Sequence, residues 1–225
     1  MNIIKGLILK DLLQLKSYWK TLIIYTGIFI LAGALQQSQE GINVMSILML
    51  TFGFGMFAMA SFNYDEQAKA DSYLLSFPLS KEQIVLARYI LVILATLIGA
   101  IVGIIFCIVI NLITNSQTVF PDVTELAYTA IGGIFGVSIV EAIQIPCAYK
   151  WGAEKGRIHL FIVAAAIILG VIGLLTIAQN SNFNFAINEI IYLMGGFFPI
   201  FLILLTAIIY YVSYKFSFQI YENKE

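Results

Sequence analysis

From Ile84 to Ile113 the chain runs thirty residues with a single charge, Arg88, near the start. About 20 apolar helical residues cross the hydrocarbon of a bilayer, so this stretch is long enough to span one with tilt to spare. Further apolar stretches cover Thr21–Leu35 (extended backwards to Trp19), Ile42–Phe62, Val123–Tyr149, His159–Ala178 and Ile190–Tyr214. With 60% apolar and 11% charged residues, against about 45–50% and about 25% in a soluble domain, the chain cannot cover itself with a polar surface. That excludes a soluble enzyme, a nucleic-acid-binding domain and a disordered chain. The expectation is an all-α membrane protein, one integral domain over residues 1–225, with spans at about 20–35, 42–62, 84–113, 123–149, 159–178 and 190–214.

The 12 basic residues orient these six spans, because cytoplasmic loops hold the excess of Lys and Arg. Lys5, Lys10, Lys16 and Lys20 precede the first span. Lys69, Lys81 and Arg88 lie between the second and third, or just inside the third. Lys150, Lys155 and Arg157 separate the fourth and fifth, and Lys215 and Lys224 follow the sixth. The alternate connections, Gln36–Gly41, Thr114–Asp122 and Gln179–Glu189, contain none. Both termini are therefore expected on the cytoplasmic side. A five- or seven-span reading within these boundaries would break the alternation.

Before the first span, Ile4, Leu7, Ile8, Leu12, Leu15 and Trp19 recur at helical spacing with lysines flanking the stripe and Asp11 intruding. This is the pattern of an interfacial amphipathic helix over residues 1–20. Ala32-Gly33-Ala34 resembles a signal-peptide cleavage site, but a signal n-region is short and lacks such a stripe. Cys107 and Cys147 fall near opposite faces of the membrane, too far apart for a disulfide.

Catalytic groups are scarce. The one histidine, His159, stands at a membrane boundary beside Arg157, without the further ligands a metal site needs or the paired base of a nucleophile relay, so no metal site is expected. There is no G-x-x-x-x-G-K-[ST] phosphate loop, no H-E-x-x-H and no G-x-S-x-G. The chain does not hydrolyse ATP by itself. Inside the fourth span, Ser138, Glu141 and Gln144 recur every third residue before Pro146, which places them on one helix stripe. An intramembrane carboxylate faces a cavity or a partner. Glu141 either lines a substrate path or makes a buried structural contact, a hydrogen bond or an ion pair with Arg88. Ala95, Gly99 and Gly103 repeat at four-residue spacing in the third span, as do Gly132 and Gly136 in the fourth and Ala166 and Gly170 in the fifth. Such stripes let membrane helices approach closely.

The loop FNYDEQAKADSYLLSFPLSKEQIVLARY holds the clearest local signals. Asn63-x-x-Glu66 reads as the cap of a short helix over Tyr64–Ser76, and Phe77-Pro78 stops it. Ser80-x-x-Gln83 reads as a capping box that restarts the third span, with Leu79 and Ile84 placed as a hydrophobic staple. A charged, aromatic helix held between two membrane helices suits a docked protein partner as well as it suits a plain connector.

The amphipathic start KDLLQLKSYWK, the loop DEQAKADSYLLSFPLSKEQIVLARY and the stretch IPCAYKWGAEKGR resemble ABC-2 type transporter permeases, specifically the short bacterial six-span group, in order and spacing along essentially the whole chain. The resemblance implies an exporter half: two six-span permease copies, a homodimer or close heterodimer, with two separate ATPase subunits that bind ATP and Mg. The permease itself would bind no cofactor. The N-terminal stripe would be the interfacial elbow helix. Asp65, Glu66, Lys69, Asp71, Tyr73, Leu74 and Leu75 would lie on the cytoplasmic coupling helix, and Lys150, Trp151, Glu154 and Lys155, with Gly152 and Gly156, would form a second ATPase contact. It also implies a bacterial plasma membrane. Relatives export lipids, polysaccharides, drugs, bacteriocins or peptides of the phenol-soluble modulin kind.

Apolar spans with almost no internal charge suit a hydrophobic or amphipathic cargo, a peptide foremost, a drug or lipid next. The alternatives are the substrate-capture subunit of a vitamin importer, which typically carries a small-residue stripe on its first span, and an intramembrane protease, which needs more acidic and histidine residues than Glu141 alone.

Overall fold

The computed structural model describes residues 3–16, 19–34, 39–68, 80–113, 123–153, 155–156, 158, 162 and 197–223. Within them the chain forms α1 (Ile3–Leu15), α2 (Trp19–Ala34), α3 (Gln39–Gln67), α4 (Lys81–Ile113), α5 (Val123–Trp151) and α6 (Phe198–Glu222), and no strand. Four of these helices are long and apolar enough to cross a membrane, over Val44–Gln67, Lys81–Val109, Val123–Trp151 and Phe198–Glu222. They correspond to the expected second, third, fourth and sixth spans. The first span appears as α2, whose 16 residues fall short of the about 20 a full crossing takes. The fifth, His159–Ala178, lies almost wholly outside the described residues.

Local chemistry sets several of the helix ends. Gln83 N–H donates to Ser80 Oγ at 3.2 Å and Ser80 N–H to Gln83 Oε1 at 3.4 Å, the reciprocal capping box expected at the start of α4. Pro199 sits in the first turn of α6, where its missing N–H has no helical acceptor to lose. That helix continues to Glu222, beyond the expected Tyr214, because nothing in KFSFQIYE breaks it.

Two expectations are corrected at the end of α3. The helix does not stop at Phe62 and restart from an Asn63 cap; Asn63, Tyr64, Asp65 and Glu66 all belong to its last turns. Acidic residues at a helix C-terminus oppose the macrodipole, which is why the sequence reads as a fresh N-terminus. Tertiary ion pairs, described below, offset that penalty.

α3 packs most extensively on α4, and α5 on α6; α3 also meets α5, and α1 lies against α3 and α4. The α3–α4 contact rests on the small-residue stripe. A Cβ added at Gly99 would stand 2.7 Å from Phe54 Cβ and 2.9 Å from the Leu50 carbonyl oxygen, and one at Gly103 would stand 2.9 Å from Ile47 Cα. The backbones touch there, as close membrane packing requires. In α5, Gly133 faces α3, where an added Cβ would stand 3.1 Å from Leu48 Cδ2, while Cβ atoms added at Gly132 and Gly136 would meet nothing within 4 Å among the described residues. Gly99→Ile is therefore expected to destabilise by about 3 kcal/mol, the upper end for overpacking because backbone must move. Gly132→Ala should leave the melting temperature unchanged or raise it slightly. Thermal unfolding of the two detergent-solubilised variants checks this, and equal effects would refute the packing.

Candidate functional site

Charged side chains on three helices meet at the lysine-bearing end of the bundle. The Arg88 guanidinium, near the start of α4, is held against Asp11 of α1 at 3.0 Å and against Asp65 in the last turns of α3. It also donates to Ser61 Oγ at 2.5 Å and lies 4.7 Å above the Phe62 ring. Lys10 Nζ donates to both Asp65 oxygens, at 2.9 and 3.0 Å, and stands 3.2 Å from Asp11. Gln14 Nε2 adds a third bond to Asp65 at 3.0 Å. Arg88, Asp11 and Asp65 are buried, and two cations balance two carboxylates. Buried charge is tolerable only when paired and hydrogen-bonded in this way. The cluster ties α1 to the junction of α3 and α4.

A second junction joins α3 to α5. Gly152 ends α5 in the left-handed conformation (φ +85°), its N–H donating to the Ala148 carbonyl at 3.0 Å. That glycine C-cap turns the chain so that the Ala153 N–H meets Glu66 Oε2 at 2.6 Å. A Cβ at Gly152 would strike the Glu66 carboxylate itself. Gly156 then folds back onto α5, where an added Cβ would be 3.1 Å from Ala148 N.

Glu141 occupies a different level of the bundle. Its carboxylate, 0% exposed, accepts from Thr96 Oγ1 of α4 at 2.9 Å and from the Tyr210 hydroxyl of α6, and abuts Gly55 of α3. Four helices thus converge on one side chain. The expected Arg88–Glu141 ion pair is not made. Glu141 lies level with Thr96, eight residues along α4 from Arg88, or about 12 Å of helix. The buried hydrogen bond, the other structural option, is what Glu141 makes. Its stripe neighbours are also turned inward: Ser138 Oγ donates to the Phe135 carbonyl at 2.6 Å, and Gln144 is buried.

Pro146 accounts for a third polar contact. Lacking an N–H, it leaves the Ala142 carbonyl without its helical donor, and Ser213 Oγ of α6 donates there at 2.7 Å. Ser213 has thereby committed its only proton, so the Tyr89 hydroxyl, 2.6 Å away, donates to Ser213, and Ser217 at 2.8 Å donates to Tyr89. Beside this seam, Thr96 and Tyr210 reach the wall of a cavity of about 520 Å³ between α4, α5 and α6, lined otherwise by apolar side chains and Thr206. Glu141 stands behind that wall.

The structure therefore divides the residues expected to contact an ATPase. Asp65 faces inward and serves the charge cluster, so it offers nothing to a docked partner. Glu66, Lys150, Trp151 and Lys155 gather at one end of the bundle and are exposed. Lys69, Asp71, Tyr73, Leu74, Leu75 and Glu154 lie outside the described residues. Sequence reasoning missed the roles of Lys10, Asp11, Gln14 and Ser61, and those of Gly55, Thr96 and Tyr210. Asp11 was the available signal, a lone acid interrupting an apolar and basic stripe.

The family model for ABC-2 family transporter proteins matches residues 6–222. The chain belongs to the ABC-2 transporter family. No curated protein and no solved structure matches it. It is thus a membrane permease component of an ABC transporter, and its family implies an ABC ATPase partner. For such a permease, the two junctions at the lysine-bearing end are the candidate coupling site, and the Glu141 hub is the point within the spans where α3, α4, α5 and α6 are held together.

Proposed function

We propose that this permease exports a hydrophobic or amphipathic cargo, a peptide foremost with a drug or lipid next, by alternating access driven from its lysine-bearing, cytoplasmic end. The observation that carries the reading is the pair of junctions formed immediately before residues 69–79. Asp65 is locked to α1 and α4 just before that segment, and Glu66 is joined to the α5 terminus. A push delivered there moves α1, α3, α4 and α5 as a unit. Two copies of the chain, a homodimer or close heterodimer, each take one ATPase subunit, and ATP and Mg bind only the ATPases. Six spans put both termini beside those subunits, with α1 as the interfacial elbow, in a bacterial plasma membrane. The apolar lining of the 520 Å³ cavity supports a cargo of low polarity.

The test is reconstitution in proteoliposomes with the ATPase that co-purifies with the chain. ATP hydrolysis is expected to rise severalfold when the permease is present. Glu66→Ala should reduce that rise, because it removes the tie between α3 and Ala153. Hydrolysis that ignores the permease would end the proposal.

A further inference from the structure

Between α5 and α6 runs a groove of about 510 Å³ whose walls include Ile143, Pro146, Val212, Phe216 and Ile220. Lys150 and Trp151 close its end. We propose that this groove seats an acyl chain of an anionic phospholipid, with Lys150 holding the headgroup.

Length, charge and position support that occupant together. Along α6 the groove extends from Ile208 to Ile220, twelve residues or about 18 Å of helix. One leaflet of hydrocarbon is about 15 Å deep, half of a bilayer core of about 30 Å. The groove therefore matches a single lipid tail and stops at the depth where a headgroup begins. A path for transported cargo would have to continue across the other leaflet. Among the described residues Lys150 is the only titratable cation on its wall, and none of their carboxylates pairs with it. Its Nζ instead lies 4.7 Å above the Trp151 ring. Lysine beside tryptophan at the end of an apolar surface is the arrangement found at the membrane–water boundary. The partial negative charge at the α5 C-terminus favours Lys150 at that position, and being about half a unit and spread over a turn, it leaves the lysine's full charge to attract a phosphate. Lys150 is thereby drawn to the lipid, in place of the ATPase contact expected from the sequence.

The proposal does not depend on the cargo or on the ATPase, so it is tested on the full chain alone. Delipidated protein is titrated with phosphatidylglycerol or phosphatidylcholine, and bound lipid is counted by native mass spectrometry. The wild type is expected to retain the anionic lipid about fivefold more tightly, the effect of one lysine near a membrane surface. Lys150→Ala should bring the two lipids level, and Lys150→Arg should keep the preference. Val212→Trp, which fills the groove, should weaken both. Lys150→Gln serves equally where the alanine variant does not fold. A preference that survives loss of the lysine charge overturns the proposal. So does competition by glycerol phosphate as strong as that by the lipid, which would mean a headgroup site without a tail. Disulfide cross-linking of two copies through Phe216→Cys at high yield would also overturn it, by giving the groove to a second permease.

Discussion

Arg88→Ala is expected to lower the melting temperature of the solubilised permease by about 6–20 °C. Removing one member of a buried, hydrogen-bonded ion cluster costs about 3–5 kcal/mol because the partners left behind stay charged and desolvated. At about 2–4 °C per kcal/mol for a chain of this size, that gives the stated range. Without Arg88, Asp11 and Asp65 would share Lys10, whose side chain is already 31% exposed and cannot neutralise both. Arg88→Lys should fall between wild type and alanine. Arginine reaches Asp11 and Ser61 through one nitrogen and Asp65 through the other, and a single ammonium cannot reproduce that fork. The loss should change little with added salt, since the charges are buried and poorly screened. Lys215→Ala is the control, removing a cation that lies over the Tyr211 ring. Equal melting temperatures for Arg88→Ala and Lys215→Ala would disprove the cluster's role. Because α1 is held to α3 and α4 through these pairs, the same variant should also lose most of the permease-dependent ATP hydrolysis.

Asp65 shows where the sequence stopped being legible. The four membrane-length helices follow from uninterrupted apolar length, a property that each stretch carries alone. The Ser80–Gln83 capping box was equally readable because both of its partners lie within four residues. Asp65 and Glu66 are adjacent, and nothing local distinguishes the buried ion-pair member from the exposed acceptor of the Ala153 N–H. The distinction is made by Lys10, Gln14 and Arg88, which arrive from other helices. Arg88 and Glu141 illustrate the same limit. Opposite charges in neighbouring spans invite pairing, but the register of α4 against α5 decides the partner, and it puts Thr96 beside Glu141. Likewise the register of α5 selects Gly133 over Gly132 and Gly136 for the α3 contact, a choice that four-residue spacing cannot make.

The hub around Glu141 yields an expectation that separates a structural carboxylate from one on the transport path. Gly55→Ala puts a methyl group against the Glu141 carboxylate and 2.9 Å from Val137 Cγ1, which should destabilise by about 1–3 kcal/mol. Glu141→Ala removes the acceptor shared by Tyr210 and Thr96 and leaves a void, at a cost of about 2–5 kcal/mol. In the double variant the new methyl at position 55 enters the space the carboxylate vacated. Its total cost should therefore fall short of the sum by about 1–2 kcal/mol, the coupling expected of residues in contact. Additive losses would mean that the two side chains do not meet. Glu141→Gln keeps the volume and an oxygen acceptor for Tyr210, while Thr96 can give its proton to the Val92 carbonyl 2.9 Å away, so it should hold stability to within about 1 kcal/mol of wild type. If Glu141 acts only as the tie between helices, that variant also transports normally in proteoliposomes. A folded, ATPase-stimulating Glu141→Gln permease that moves no cargo would instead place the carboxylate in the path.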